Sequence, residues 1–111
     1  MSEDHVLDRL FAVIESRKGA DPETSYTAKL FAKGLPAICQ KTGEEAVETV
    51  VAALAQSPEE AASESADLLY HLLVLWADLG LTPDDVWKVL AERQGISGIA
   101  EKASRGHKHG T

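Results

Sequence analysis

Residues 44–67 read EEAVETVVAALAQSPEEAASESAD, and the four residues Ser57-Pro58-Glu59-Glu60 in their middle decide the fold. Ser57 is a good N-cap, Pro58 suits the first helical position, and Glu60 is spaced to complete a capping box. One helix must therefore end just before Ser57 and another start just after it. So short a connection makes the two antiparallel neighbours. Upstream, Pro36 opens a helix that runs to Gln56, with Ile38, Val47, Val50, Val51 and Leu54 on one apolar stripe. Gly43 interrupts it at a cost of about 1 kcal/mol against Ala, which predicts a close approach at that point. Downstream, the second helix of the pair runs to Leu79 and is closed by Gly80.

The flanks repeat this grammar. Apolar residues Val6, Leu7, Leu10, Phe11, Val13 and Ile14 predict a first helix from about Asp4 to Ser16. Gly19 to Pro22 break it, and Ser25 caps a short helix from Tyr26 to Lys33 that Gly34 ends. Thr82-Pro83-Asp84-Asp85 starts a fifth helix ending near Gly95. With no alternating strand pattern and no repeat, the predicted class is all-α, about five helices around an antiparallel hairpin. The expected division is an all-α domain over 1–95 and a partly flexible C-terminal tail over 96–111. The helix from Pro58 is apolar nearly all round between Ala66 and Ala77. Four short partners can hardly cover it, so a homodimer is expected, with this helix at its interface.

Composition narrows the function. At 111 residues the chain is expected to be one domain. Its 18 Asp and Glu against 11 Lys and Arg give a net charge of −7, which disfavours a nucleic-acid partner. The densest apolar run, Leu68 to Leu75, is too short to span a bilayer, and the first ten residues do not resemble a secretory signal. A single cysteine, Cys39, fits a cytoplasmic location and reads as a small buried residue of the third helix.

Charge is segregated. Between Thr42 and Trp87 there are ten carboxylates and no Lys or Arg. Glu59, Glu60, Asp84 and Asp85 fall in first helical turns, where the helix dipole favours them, and Asp78 lies near a helix end. The other five form EExxE, Glu44, Glu45 and Glu48, followed on the next helix by ExxD, Glu64 and Asp67. On a helix, Glu48 lies about 40° from Glu44 and about 60° from Glu45, and Glu64 lies about 60° from Asp67. Both sets stand at similar distances from Ser57, so they can face each other across the hairpin. Carboxylates converging without a basic neighbour repel and raise one another's pKa unless a cation enters. Magnesium is the natural guest, with manganese an alternative. Zinc fits poorly, because only His71 offers nitrogen nearby.

EExxE followed by ExxD on the next helix resembles the all-α nucleoside triphosphate pyrophosphatases. More narrowly, SYTAKL (25–30), KTGEEAVE (41–48), ESADLLYH (64–71) and DDV (84–86) resemble the phosphoribosyl-ATP pyrophosphatase family, over about residues 4 to 95. The resemblance implies magnesium-dependent hydrolysis of 1-(5-phosphoribosyl)-ATP to 1-(5-phosphoribosyl)-AMP and pyrophosphate, the second step of histidine biosynthesis, by a cytoplasmic dimer. It also implies that Glu45, Glu48, Glu64 and Asp67 are metal ligands and that Glu44 is a ligand or a base for the attacking water.

Phosphates beyond the metal need donors, and Lys29, Lys33 and Lys41 are the candidates, with Ser25 and Thr27 as lesser ones and Lys33 also readable as a simply solvated side chain. Lys41 precedes Glu45 by one turn and could equally form a simple ion pair with it. Tyr26 can stack on adenine or pack in the core. His71, four residues after Asp67, can bond a ligand carboxylate or pack as a core histidine, and Trp76 and Trp87 are assigned to packing. Two rivals share these features: a house-cleaning nucleoside triphosphate pyrophosphatase, and a non-catalytic helical dimerisation module.

Overall fold

The computed structural model describes residues 5–94. They form five helices: α1 (Val6–Ser16), α2 (Tyr26–Lys33), α3 (Leu35–Ala55), α4 (Pro58–Leu79) and α5 (Pro83–Arg93). No strand occurs among the described residues. The expected tail, 96–111, lies outside them, as does Asp4. The first helix begins two residues later than expected, with His5 as its cap: its Nδ1 accepts from the Leu7 N–H at 3.1 Å.

The helix boundaries follow the capping chemistry. Ser25 accepts from the Ala28 N–H at 3.1 Å, and Ser57 accepts from the Glu60 N–H at 3.1 Å. Gly34, at φ 97°, separates α2 from α3, and Gly80, at φ 80°, ends α4 in the left-handed region that glycine adopts without strain. Only the first half of the capping box expected at Ser57 forms. The reciprocal exchange is made instead at α5, where Thr82 accepts from the Asp85 N–H and the Asp85 carboxylate accepts from the Thr82 N–H. Aspartate is short enough to reach back there.

Helices α3 and α4, joined through Gln56 and Ser57, pack along each other and form the frame of the molecule. The core unites Phe11 and Ile14 of α1, Leu30 of α2, Ile38 of α3, and Leu73, Val74 and Ala77 of α4. Lys18 fastens the end of α1 to this frame by donating from Nζ to the Ala77 carbonyl at 2.8 Å. Trp76 and Trp87 meet edge to face, ring centroids 6.0 Å apart, and so hold α5 to the end of α4.

Three expectations for α3 need correction. Val47, Val50, Val51 and Leu54 do not share a buried stripe with Ile38: all four are exposed, Leu54 to 83%. The reason is angular. Seven-residue steps from Ile38 lead to Glu45 and Ala52, which are buried with it, whereas Val47 and Leu54 lie about 180° and 160° round the axis from Ile38. Cys39, one residue and about 100° on from Ile38, is exposed rather than buried. Gly43 meets no close neighbour, since a Cβ there would have nothing within 4 Å. Helix α4, by contrast, is better covered within the chain than its composition suggests: Leu73, Val74 and Ala77 are fully buried, while Leu69 and Leu79 stay exposed.

Candidate active site

The heading of Glu45 along the inward line of α3 puts a carboxylate where the chain would otherwise place an apolar side chain. Glu45 is only 8% exposed. Glu48, one turn on, and Glu64, entering from α4, offer oxygens that lie with one of Glu45 within 4.8 Å of one another. Seven residues after Ser57 on one helix and nine before it on the other thus meet, as the hairpin register requires. One oxygen each of Glu45 and Glu64, Oε1 in both, is buried and has no hydrogen-bond partner. Burial pushes the Glu64 carboxyl above the usual range, and the neighbouring charge of Glu48 pushes it further, with smaller contributions from Asp67 and Glu45.

This arrangement fits a cation. Buried polar atoms are ordinarily satisfied, and two unpartnered carboxylate oxygens in one cluster form a donor set that a positive group would satisfy. All donors are carboxylate oxygens, which suits a hard divalent ion of the magnesium or manganese type and not zinc.

The remaining acidic residues stand differently. Asp67, one turn beyond Glu64, influences the Glu64 carboxyl but is exposed and is not among the three within 4.8 Å. Glu44 heads away from the cluster, because adjacent residues diverge by about 100°. Its carboxylate accepts from Gln40 Nε2 at 3.1 Å and pairs with Lys41 Nζ at 3.3 Å, and those two contacts lower its pKa. The ion pair of Lys41 is therefore with Glu44 and not with Glu45. The hydrogen bond that Lys41 donates to Glu44 in turn raises the Lys41 pKa.

Beside the acidic cluster, α2 and α3 enclose a cleft of about 230 Å³. It gathers Lys29, Lys33 and Lys41 with Tyr26 and Gln40, over apolar contacts from Leu30 and Ala37. The three lysines picked out from the sequence thus share one cavity. Ser25 and Thr27 do not line it: Ser25 caps α2, and Thr27 is buried, its hydroxyl bonded to that of Tyr70. Gln40 was not anticipated, although its i,i+4 spacing to Glu44 was a usable signal.

His71 is a packed core histidine, 6% exposed. Its Nδ1 lies 2.8 Å from the backbone carbonyl of Asp67, which can only accept, so Nδ1 carries the proton. Nε2 then accepts from the Tyr26 hydroxyl at 2.9 Å. His71 touches the Asp67 backbone rather than any carboxylate. Tyr26 is half-exposed, its ring near that of Tyr70 at 6.4 Å, and burial raises its pKa.

The sequence model of the family described as phosphoribosyl-ATP pyrophosphohydrolase matches residues 7–94. The chain belongs to that family. Among its relatives, the phosphoribosyl-ATP pyrophosphatase of Azospirillum brasilense is 66% identical over 100 residues, covering 90% of each chain. That of Rhodospirillum rubrum is 65% identical over 100 residues, 90% of this chain and 86% of the relative. That of Paramagnetospirillum magneticum is 63% identical over 103 residues, 93% and 94%. The match to the phosphoribosyl-ATP pyrophosphohydrolase family takes in the acidic cluster, the lysine cleft and the Tyr26–His71 pair, all of which lie within 7–94.

Proposed function

We infer that the chain hydrolyses 1-(5-phosphoribosyl)-ATP to 1-(5-phosphoribosyl)-AMP and pyrophosphate, the second step of histidine biosynthesis. Membership of the family supports the reaction and the substrate. The observation that carries the chemistry is the convergence of Glu45, Glu48 and Glu64, with two buried oxygens lacking partners. Glu45, Glu48 and Glu64 hold magnesium, with Asp67 completing the set from the next turn of α4. Bound there, the ion would neutralise polyphosphate charge and lower the pKa of a coordinated water.

The protein's own residues do the rest. Glu45, buried, and Glu64, half-buried, fix the cluster to the α3–α4 frame, which pre-positions the ligand oxygens. Glu44 heads away from the cluster, and its contacts with Gln40 and Lys41, which lower its pKa, give it the role of orienting Lys41. Lys41, held by Glu44 at the border between cluster and cleft, is placed to neutralise phosphate oxygens, and Lys29 and Lys33 add charge on the facing helix. Among the described residues no helix is long and apolar enough to cross a membrane, which accords with work in the cytoplasm.

The active form is a homodimer in this reading. Val47, Val50, Val51 and Leu54 make an exposed apolar face on α3, and Leu69 and Leu79 are exposed on α4, so a second copy would bury surface that a lone protomer leaves in water.

The test is phosphate-resolved product analysis of the purified protein with phosphoribosyl-ATP, with and without magnesium, beside ATP and dCTP. Magnesium-dependent pyrophosphate release from phosphoribosyl-ATP alone is expected. Comparable release from the two controls would assign the same site to nucleotide house-cleaning, and no release from any would leave a helical dimerisation module.

A further inference from the structure

The chain carries a net charge of −7, yet the cleft between α2 and α3 is lined by three lysines and no carboxylate. Lys29 and Lys33 are four residues apart on α2 and so share a face, opposite Lys41 on α3. Neither Lys29 nor Lys33 forms an ion pair among the described residues; the cleft lysine that does is Lys41, with Glu44. Gln40 adds an amide to the rim, and Tyr26, Leu30 and Ala37 supply an apolar wall. Such a cavity suits an anion borne on a small, partly apolar body.

Its position bears on which anion. On α3 the cleft is lined by Ala37, Gln40 and Lys41, whereas the acidic cluster begins at Glu45 and extends to Glu48. From Gln40 to Glu48 is eight residues, about 12 Å along the helix axis. A carboxylate cluster meets phosphate oxygens through a cation, so the scissile triphosphate belongs at Glu45, Glu48 and Glu64. Phosphoribosyl-ATP has a second anionic end: the ribose phosphate on N1 of the purine, remote from the triphosphate-bearing ribose on N9. That phosphate is repelled by the acidic cluster and needs a cationic seat of its own.

We propose that the Lys29–Lys33–Lys41 cleft binds the phosphoribosyl phosphate, and that Lys29 and Lys33 thereby distinguish phosphoribosyl-ATP from ATP. The sugar lies against Tyr26, Leu30 and Ala37, the phosphate between Lys29 and Lys33, and Lys41 stands on the side nearer the metal. This assignment rests on the proposed reaction, but it can fail separately from it.

The products separate the two ends of the substrate: phosphoribosyl-AMP keeps the ribose phosphate, and pyrophosphate does not. Calorimetric titration of the intact protein with phosphoribosyl-AMP, AMP and pyrophosphate in the presence of magnesium measures each end without turnover. The wild type is expected to bind phosphoribosyl-AMP more tightly than AMP. Lys29→Ala with Lys33→Ala should weaken phosphoribosyl-AMP by about tenfold or more, as loss of charge-assisted hydrogen bonds implies, and leave AMP and pyrophosphate within about twofold. The KM for phosphoribosyl-ATP should rise in parallel, with far-ultraviolet circular dichroism unchanged. Equal weakening of pyrophosphate would move the lysines to the triphosphate and overturn the proposal, as would equal wild-type affinity for AMP and phosphoribosyl-AMP. Failure of the wild type to cleave phosphoribosyl-ATP, with phosphoribosyl-AMP still bound through the lysines, would remove the reaction and keep the cleft.

Discussion

The Tyr26 hydroxyl donates to Nε2 of His71 at 2.9 Å, joining residues 45 apart in sequence. Through His71 Nδ1 and the Asp67 carbonyl, this bond ties the helix that carries Lys29 and Lys33 to the helix that carries Glu64 and Asp67. Tyr26→Phe leaves a buried imidazole nitrogen without its donor. A loss of about 1–3 kcal/mol in urea unfolding is expected, the cost of an unsatisfied buried polar group. A stability equal to wild type would mean that water replaces the hydroxyl.

Glu64 gives a pH dependence with a defined sign. Its folded pKa is raised, by burial first and then by the charge of Glu48, so protonation favours the folded state. Its stabilising contribution is complete below the unfolded carboxylate pKa, near 4.3, and is lost as pH rises through the higher folded value. Without divalent ions, the wild type should therefore fall in melting temperature relative to Glu64→Gln as pH rises from about 4 to 7. Added magnesium should reverse that difference at pH 7, because it binds the charged form. A flat difference across the range would show that Glu64 carries no excess charge penalty.

Glu48→Ala and Asp67→Ala should each lower phosphoribosyl-ATP turnover by at least about a hundredfold, the upper end of what outer-shell partners of a metal cost. Helicity should be unchanged, since both side chains are exposed. For Asp67 the measurement also decides between a ligand and a neighbour, because Asp67 stands outside the three-carboxylate cluster. Full activity of Asp67→Ala at saturating magnesium would remove it from the site.

Gly43 lies mid-helix with open space where a Cβ would stand. Gly43→Ala should raise stability by about 1 kcal/mol, the difference in helix propensity. A decrease instead would place a second copy over that face.

Leu54 is the most exposed large apolar side chain of the described residues. If the α3 face meets a second copy, Leu54→Asp should raise the dimer dissociation constant by about a hundredfold or more, the consequence of burying an unpaired charge. Sedimentation equilibrium measures it. A wild type that sediments as a folded monomer at micromolar concentration would overturn the dimer itself.

The hairpin and its acidic meeting point were legible because both depend on local rules. Ser57-Pro58 starts a helix wherever it stands, and the spacing from Ser57 to Glu48 and Glu64 then sets their register. Helical angles separate Val47 and Leu54 from Ile38, but they do not say which of the two faces of α3 turns inward. The true inward line, Ile38, Glu45 and Ala52, includes a glutamate, and a glutamate in a core position is invisible to a search for apolar stripes. A reading by apolar content alone thus groups Val47 and Leu54 with Ile38 and buries Cys39, whereas all three are exposed. Glu44 and Glu45 were equal by spacing, yet only one of two adjacent residues can face α4. The Thr27–Tyr70 and Tyr26–His71 contacts arise from α2 docking on α4 across more than forty residues, which no local pattern encodes.

The two-residue link of Gln56 and Ser57 is also a constraint on sequence change. Substitutions there cost no more than a cap. One residue inserted in the helical turns that flank it, between Glu48 and Ala55 or between Pro58 and Glu64, however, would turn Glu64 by about 100° against Glu45 and Glu48 and shift it by about 1.5 Å while every helix remained intact. Length variation in this protein should therefore accumulate between α1 and α2 or beyond α5, and the turns flanking the α3–α4 junction should be the place where a single-codon insertion silences the enzyme without unfolding it.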